Sequence, residues 1–294
     1  MHSFSIRAAA ASLAAAALFE AVAGRVVRAN QYIVEFASST NTLIARDSFA
    51  GKGDIRMHKT FVSSVFTGAS IETELFSLDD LNEMPEVANV WRNNVVTLDA
   101  LESHAREVES YKALDYVVHN ATGVSRLHDA GVLGEGALVG IVDTGAWYEH
   151  PALGGCFGAQ CKVVGGYDLV GDIHWHPGLE KMPDNDPKDN QGHGTHVSGI
   201  VAGENEYWSG VAPKAQLRAY KVFSDADGPE SDDATVIEAF LMAAEDGCDI
   251  ITCSIGNFNG WPQNAWAVVA DRLVDDGCVH EISAFRHFFR YPVE

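Results

Sequence analysis

From Leu138 to Val274 the chain alternates short apolar runs with segments whose apolar residues recur at helical spacing. Leu138–Val142 (LVGIV) is unbroken and apolar, as a parallel strand buried on both faces must be. Val163-Val164 starts a shorter extended piece. His193–Ala202 sets Val197, Ile200 and Val201 on one helical face, and Gly203 is a natural stop. Gln216–Phe223 (QLRAYKVF) returns to strand character. Asp232–Asp246 carries Val236, Ile237, Phe240, Leu241 and Ala244 on one stripe behind an acidic start, which suits a helix N-terminus. Asp249–Ser254 (DIITCS) and Ala265–Val274 repeat the strand-then-helix order. Such alternation predicts an α/β domain built on a mostly parallel sheet.

The order upstream is different. Gln31–Phe36 (QYIVEF) alternates like a half-buried strand. Asp47–Val65 is polar, with Ile55, His58, Val62 and Val65 at helical spacing, and Leu78–Met84 reads as a second short helix. Pro85–Asp99 is strand-like again, with Val87, Val90 and Val96. Strand, helix, helix, strand predicts a small α+β unit before residue 100, joined to the rest by the charged linker Leu101–Ser110. Met1–Ala23 has a positive Arg7, an apolar stretch from Ala8 to Phe19 and an Ala21-Val22-Ala23 cleavage signature. It reads as a secretory leader, too short for the roughly 20 residues of a membrane span. No later run is long enough to span a bilayer, so a soluble, secreted protein with no membrane partner is expected. The sequon Asn120-Ala121-Thr122 and five cysteines, all downstream of the leader, fit that compartment. Cys156 and Cys161 are spaced for a short-loop disulfide. Cys248 and Cys253 read as small buried hydrophobes, and with Cys278 the count is odd. A net charge of -21 repels phosphate backbones and excludes general nucleic-acid binding.

Three segments carry chemistry. Asp143 ends the LVGIV strand and is followed by Thr144-Gly145. Carboxyl ends of parallel strands are where catalytic groups collect, and a buried carboxylate needs a partner such as an imidazole N–H. A capping aspartate in a tight turn is the alternative for this segment alone. His193 stands between two glycines in Asn190–Gly199 (NQGHGTHVSG), at a helix start. Its ordinary pKa near 6.5 lets it accept and return a proton near neutral pH. Ile250–Gly256 (IITCSIG) ends in Ser254-Ile255-Gly256, where a strand edge beside a reactive site can pair with an extended peptide.

Together these segments resemble the subtilisin-like serine proteases of the extracellular type. GIVDTG is similar to the family's aspartate block, which implies Asp143 as the triad acid. GHGTHVSG is similar to its histidine block and implies His193 as general base. VAPKAQLRAYKVF and DIITCSIG resemble the strands that follow, with Ser254, Ile255 and Gly256 as the substrate-binding strand. Gln31–Asp99 is similar in pattern to the inhibitory propeptide of these enzymes. The organisation so implied is a leader over 1–23, a propeptide-like α+β domain over 24–104, the N-terminal part of a parallel-sheet peptidase domain over 105–278, and a divergent tail over 279–294. The implied partners are protein or peptide substrates and the chain's own propeptide, acting as inhibitor and chaperone.

The family's nucleophile lies in a Gly-Thr-Ser-x-Ala block, and its oxyanion asparagine in an Ala-Gly-Asn run. Neither occurs in these 294 residues. After Cys278 the sequence reads VHEISAFRHFFRYPVE, whose charges suit a buried strand poorly. A truncated catalytic domain, inactive as given, is therefore expected. Three other readings fit the residues less well. An aspartic protease needs two Asp-Thr-Gly loops, and only Asp143-Thr144-Gly145 is present. A zinc hydrolase lacks the Glu of HExxH at His193 and His196. A non-catalytic inhibitory protein derived from a protease would use the first unit alone. No cofactor or metal is assigned. Calcium at Asp184, Asp186 and Asp189 has no EF-hand spacing behind it, and a solvated acidic loop is the plainer reading.

Overall fold

A computed structural model describes residues 27–37, 47, 49, 51–98, 117–172, 175, 179–206, 208–226, 228–255 and 263–282. The expected leader, the linker 101–110, Gly256 and the tail beyond Ile282 lie outside the described residues. The described chain forms two five-stranded sheets.

The first sheet is antiparallel and has the order β2-β3-β1-β4-β8. Its strands are β1 (Val27–Phe36), β2 (Arg56–Val62), β3 (Thr67–Glu72), β4 (Val87–Thr97) and β8 (Glu230–Asp232). Alternation along β1 parts its side chains. Tyr32, Val34 and Phe36 pack with Leu81 of helix α1 (Leu78–Asn82), while Ile33 faces the other way. Helix α1 starts on a capping box: the Ser77 side chain accepts from the Asp80 N–H, and Asp80 returns the bond to the Ser77 N–H. One expectation is corrected here. Residues 56–62 form a strand and not a helix, and β3 was not foreseen at all. β2 lies at the sheet edge and buries only Phe61 well, so no clean two-residue period is written into it. β3 (TGASIE) is built of small residues. A Cβ on Gly68 would lie 2.1 Å from the Val34 carbonyl oxygen, so close strand packing replaced the apolar signal.

The second sheet is parallel, in the order β10-β9-β5-β7-β6. Its strands are β5 (Leu138–Asp143), β6 (Val163–Asp168), β7 (Gln216–Lys221), β9 (Ile250–Cys253) and β10 (Val279–Ile282). Central β5 is buried on both faces as its sequence requires. Val139 and Ile141 join Val197 and Ala202 of helix α4 (His193–Ala202) on one side. On the other, Val142 joins Phe240 of α5 (Asp233–Glu245) and Val269 of α6 (Ala265–Asp275). The short helices α2 (Val117–Thr122) and α3 (Val124–Asp129) precede this sheet. The departure expected after Cys278 is corrected by four residues: the backbone of β10 pairs in parallel with β9 through Ile282. It does so at the sheet edge, where a strand is covered less than a central one.

The two sheets share one apolar cluster. Ile33, Phe61, Phe66 and Val96 of the first pack with Ile237, Phe240, Val269 and Leu273 of α5 and α6. Polar contacts reinforce the seam. Arg272 pairs with Glu35 at 2.5 Å, and Trp91 Nε1–H donates to the Gln263 carbonyl at 2.7 Å. Asn94 donates to the Asp233 carboxylate, and Asn93 accepts from the Ala234 N–H, so β4 meets the first turn of α5, which Asp232 caps at the Thr235 N–H. β4 then pairs with β8 through Val95–Thr97. Because the cluster is continuous, Phe66→Ala is expected to cost about 3–5 kcal/mol and to lower one cooperative unfolding midpoint for the whole chain. Denaturant unfolding followed by tryptophan fluorescence and by circular dichroism checks this. Two separated transitions, with only the first moved, would contradict the shared core.

Candidate active site

Asp143 is the last residue of β5, fully buried at the carboxyl edge of the parallel sheet. His193 is the first residue of α4, after a left-handed Gly192 (φ 97°) that turns the loop into the helix. These two backbone constraints bring the side chains together. His193 Nδ1 donates to Asp143 Oδ1 at 2.6 Å, and the Thr144 N–H donates to the same oxygen at 2.7 Å. Asp143 Oδ2 is buried and has no hydrogen-bond partner among the described residues.

Close approach of the two segments rests on glycine. A Cβ on Gly194 would fall 2.1 Å from the Gly145 carbonyl oxygen, and one on Gly145 would fall 2.4 Å from that of Pro187. Gly145 also adopts a φ of 102°. The glycine after the histidine thus lets the helix press against the turn after the aspartate.

The electrostatics follow from the geometry. The hydrogen bond to Asp143 holds the His193 imidazole above its usual 6.5 against partial burial, and the charges of Asp143 and Asp189 add to it. Burial pushes the Asp143 carboxyl up, opposed by the His193 and Thr144 donors. The imidazole keeps 16% side-chain exposure against 0% for the carboxylate, so it is the member that exchanges protons with solvent. With Nδ1 held by Asp143, Nε2 is left for proton transfer. Among the described residues no serine hydroxyl is bonded to it.

Next to Asp143 stands a buried lysine that sequence reasoning missed. Lys221 of β7 is the register partner of both Asp143 and Asp168, giving an acid–base–acid row across three strand ends. Its Nζ lies 3.2 Å from Asp168, 2.8 Å from Asp172 and 3.2 Å from Asp225. Burial disfavours the ammonium, but the Asp172 hydrogen bond and the neighbouring carboxylates outweigh it and hold the lysine protonated.

The other expected site residues divide. Ser254 and Ile255 follow β9 at the same carboxyl edge as Asp143, Ser254 half-buried and Ile255 within the core; Gly256 lies outside the described residues. The three acidic residues considered for calcium serve separate partners. Asp184 accepts from the Asp186 N–H, and Asp186 from the Tyr148 hydroxyl. Asp189 is buried and not solvated, with both oxygens taken by protein donors. Its place four residues before His193, at a helix start, is the one signal that could have found it. Cys156 and Cys161 form a disulfide, and Cys248 and Cys253 are buried free thiols.

In Asp143→Asn the His193 pKa is expected to fall, since the hydrogen-bonded carboxylate is gone while burial, which opposes the charged ring, stays and only the Asp189 charge still favours it. Histidine-resolved NMR titration measures it. In the wild type the sign is fixed: stability linked to the imidazolium is fully present below pH 6.5 and is lost as pH rises through the raised folded value. An unchanged titration in the variant would contradict the pairing.

The family model described as the subtilase family matches residues 134–284, just over half of the chain. Minor extracellular protease Vpr of Bacillus subtilis is 33% identical over 220 residues, covering 73% of this chain and 26% of the relative. Subtilisin-like protease 2 of Pseudogymnoascus destructans is 30% identical over 226 residues, covering 76% and 49%. The chain therefore spans about a quarter to a half of the length of these curated relatives. Fervidolysin from Fervidobacterium pennivorans, a keratinolytic enzyme related to subtilisin, superposes with a TM-score of 0.62 at 17% identity, over 90% of this chain and 41% of that one. This likeness shows a shared fold. Among the described residues no helix is long and apolar enough to cross a membrane. With the aspartate strand, the histidine helix and the parallel sheet all inside the matched span, the chain belongs to the subtilase family of α/β proteins.

Proposed function

We propose that this chain carries the proton-relay half of a secreted serine endopeptidase that cleaves protein or peptide substrates. The observation behind it is the 2.6 Å contact between His193 Nδ1 and Asp143 Oδ1. Asp143 orients the ring and stabilises its cation. His193 Nε2 takes the proton of a serine hydroxyl, which attacks the scissile carbonyl, and later returns that proton to the leaving amine. The 294 residues contain no Gly-Thr-Ser-x-Ala block to supply the hydroxyl and no Ala-Gly-Asn run for the oxyanion. By itself the chain is a relay without a nucleophile, and hydrolysis falls by many orders of magnitude.

The first unit, residues 24–104, acts as an intramolecular inhibitor and chaperone. The pairing of β4 with β8 supports this, because it fills with the chain's own strand an edge that an extended peptide could take. The substrate strand is Ser254, Ile255 and Gly256. Residues 1–23 direct export, and the Cys156–Cys161 disulfide fits an oxidising compartment. The inhibitory and aspartic-protease alternatives have no observation of their own, since the aspartate of the Asp-Thr-Gly loop is engaged by His193.

The full chain is expected to give no casein hydrolysis above buffer and no covalent labelling by a fluorophosphonate probe. Turnover abolished by a serine-directed phosphonate, with a labelled serine recovered from the chain, would overturn the missing nucleophile.

A further inference from the structure

A second carboxylate sits where the two chemical segments meet. Asp189 is 5% exposed. Its Oδ1 accepts from the Thr144 hydroxyl at 2.9 Å, the Gln191 N–H at 2.9 Å and the Gly192 N–H at 2.8 Å. Its Oδ2 accepts from the Thr195 N–H at 2.8 Å and the Thr195 hydroxyl at 2.5 Å. Every contact is a donor, as suits a carboxylate used purely as acceptor. The donors come from both sides of the site: Thr144 follows the aspartate, and Gly192 and Thr195 flank the histidine.

The bonds continue in both directions. The Thr144 hydroxyl, while donating to Asp189, accepts from the Gly194 N–H at 2.8 Å. The Thr195 hydroxyl accepts from the Trp147 N–H at 2.8 Å. The chain from Gly192 to Thr195 and the turn from Thr144 to Trp147 are thus stitched through one carboxylate. Helix α4 has no side-chain cap from its own N-cap residue, Gly192. Asp189, three residues further upstream, satisfies the Gly192 and Thr195 N–H groups at that end.

We propose that Asp189 is a positioning residue that sets the approach of His193 to Asp143 by clasping the aspartate turn to the histidine helix. It touches neither the ring nor the proton in transit. It fixes where α4 begins, and so where the Cα of His193 stands relative to the tip of β5. Its charge also favours the imidazolium, in the same direction as that of Asp143. The inference rests on the reading of Asp143 and His193 as a proton relay.

The test is histidine-resolved NMR titration with amide hydrogen exchange, on the full chain and on Asp189→Asn. The substitution keeps the volume and removes the charge. Its Nδ2 faces N–H donors where Oδ2 accepted them. The His193 pKa is expected to fall, because the Asp189 charge that favours the imidazolium is gone. Protection of the Gly194 and Thr195 amides is expected to be lost, while amides of β5 and β7 keep theirs. A merely structural role would lower protection throughout and leave the pKa unmoved. Should Asp189→Asn fail to fold, Thr144→Val removes only the hydroxyl link, and loss of Gly194 protection is the expected result. His193 titration and Gly194 exchange both unchanged in a folded variant would overturn the proposal. If the wild-type His193 pKa is itself not raised, it is the relay reading that fails; a raised wild-type value with an unmoved variant sinks the clasp alone.

Discussion

Leaving a carboxylate without water at the tip of an apolar strand costs several kcal/mol unless donors are built around it. Asp143 is in that position, with no solvent exposure and an imidazole and a backbone N–H on one oxygen. Much of the surrounding structure serves that demand. The parallel sheet puts the carboxylate at its carboxyl edge. Helix α4 must begin within hydrogen-bond reach of it, and Gly194 and Gly145 allow the two backbones to touch. One strand further on, Lys221 is surrounded by Asp168, Asp172 and Asp225, so a second buried charge is balanced beside the first.

The first sheet bears on the same region from the other side. Its apolar face lies on α5 and α6, and Asn93 and Asn94 meet the start of α5. The strand that carries those asparagines then pairs with β8, which leads directly into that helix. One strand thereby joins the shared core, the helix terminus and β8. That continuity gives a physical basis for an N-terminal unit that packs on and supports the parallel-sheet unit.

Most of the parallel-sheet unit was legible because its signals are strong and local. An unbroken apolar run means burial on both faces, and β5 has it; a 3.6-residue stripe means a helix on a sheet, and α5 has it. Asp143 was legible at the end of an apolar strand and His193 between two glycines at a helix start, and the resemblance of GIVDTG and GHGTHVSG to the subtilisin-like blocks joined them into one site. The edge strand β2 and the glycine-containing β3 were hidden, since one is half exposed and the other packs by lacking side chains. Asp189, read as part of a solvated acidic loop, and Lys221, not singled out, went unrecognised for another reason. A charged residue in sequence looks solvated, and only tertiary structure shows five donors gathered on one carboxylate or three acids around one ammonium.

The central claim is that a single proton is held between His193 Nδ1 and Asp143 Oδ1. The one-dimensional proton spectrum of the full chain, recorded below the His193 pKa, observes that proton directly. A hydrogen-bonded ring N–H resonance far downfield of the amide envelope, assigned to His193 and absent from Asp143→Ala, is the result this account requires. A His193 ring proton that exchanges freely with water and shows no such resonance would contradict it.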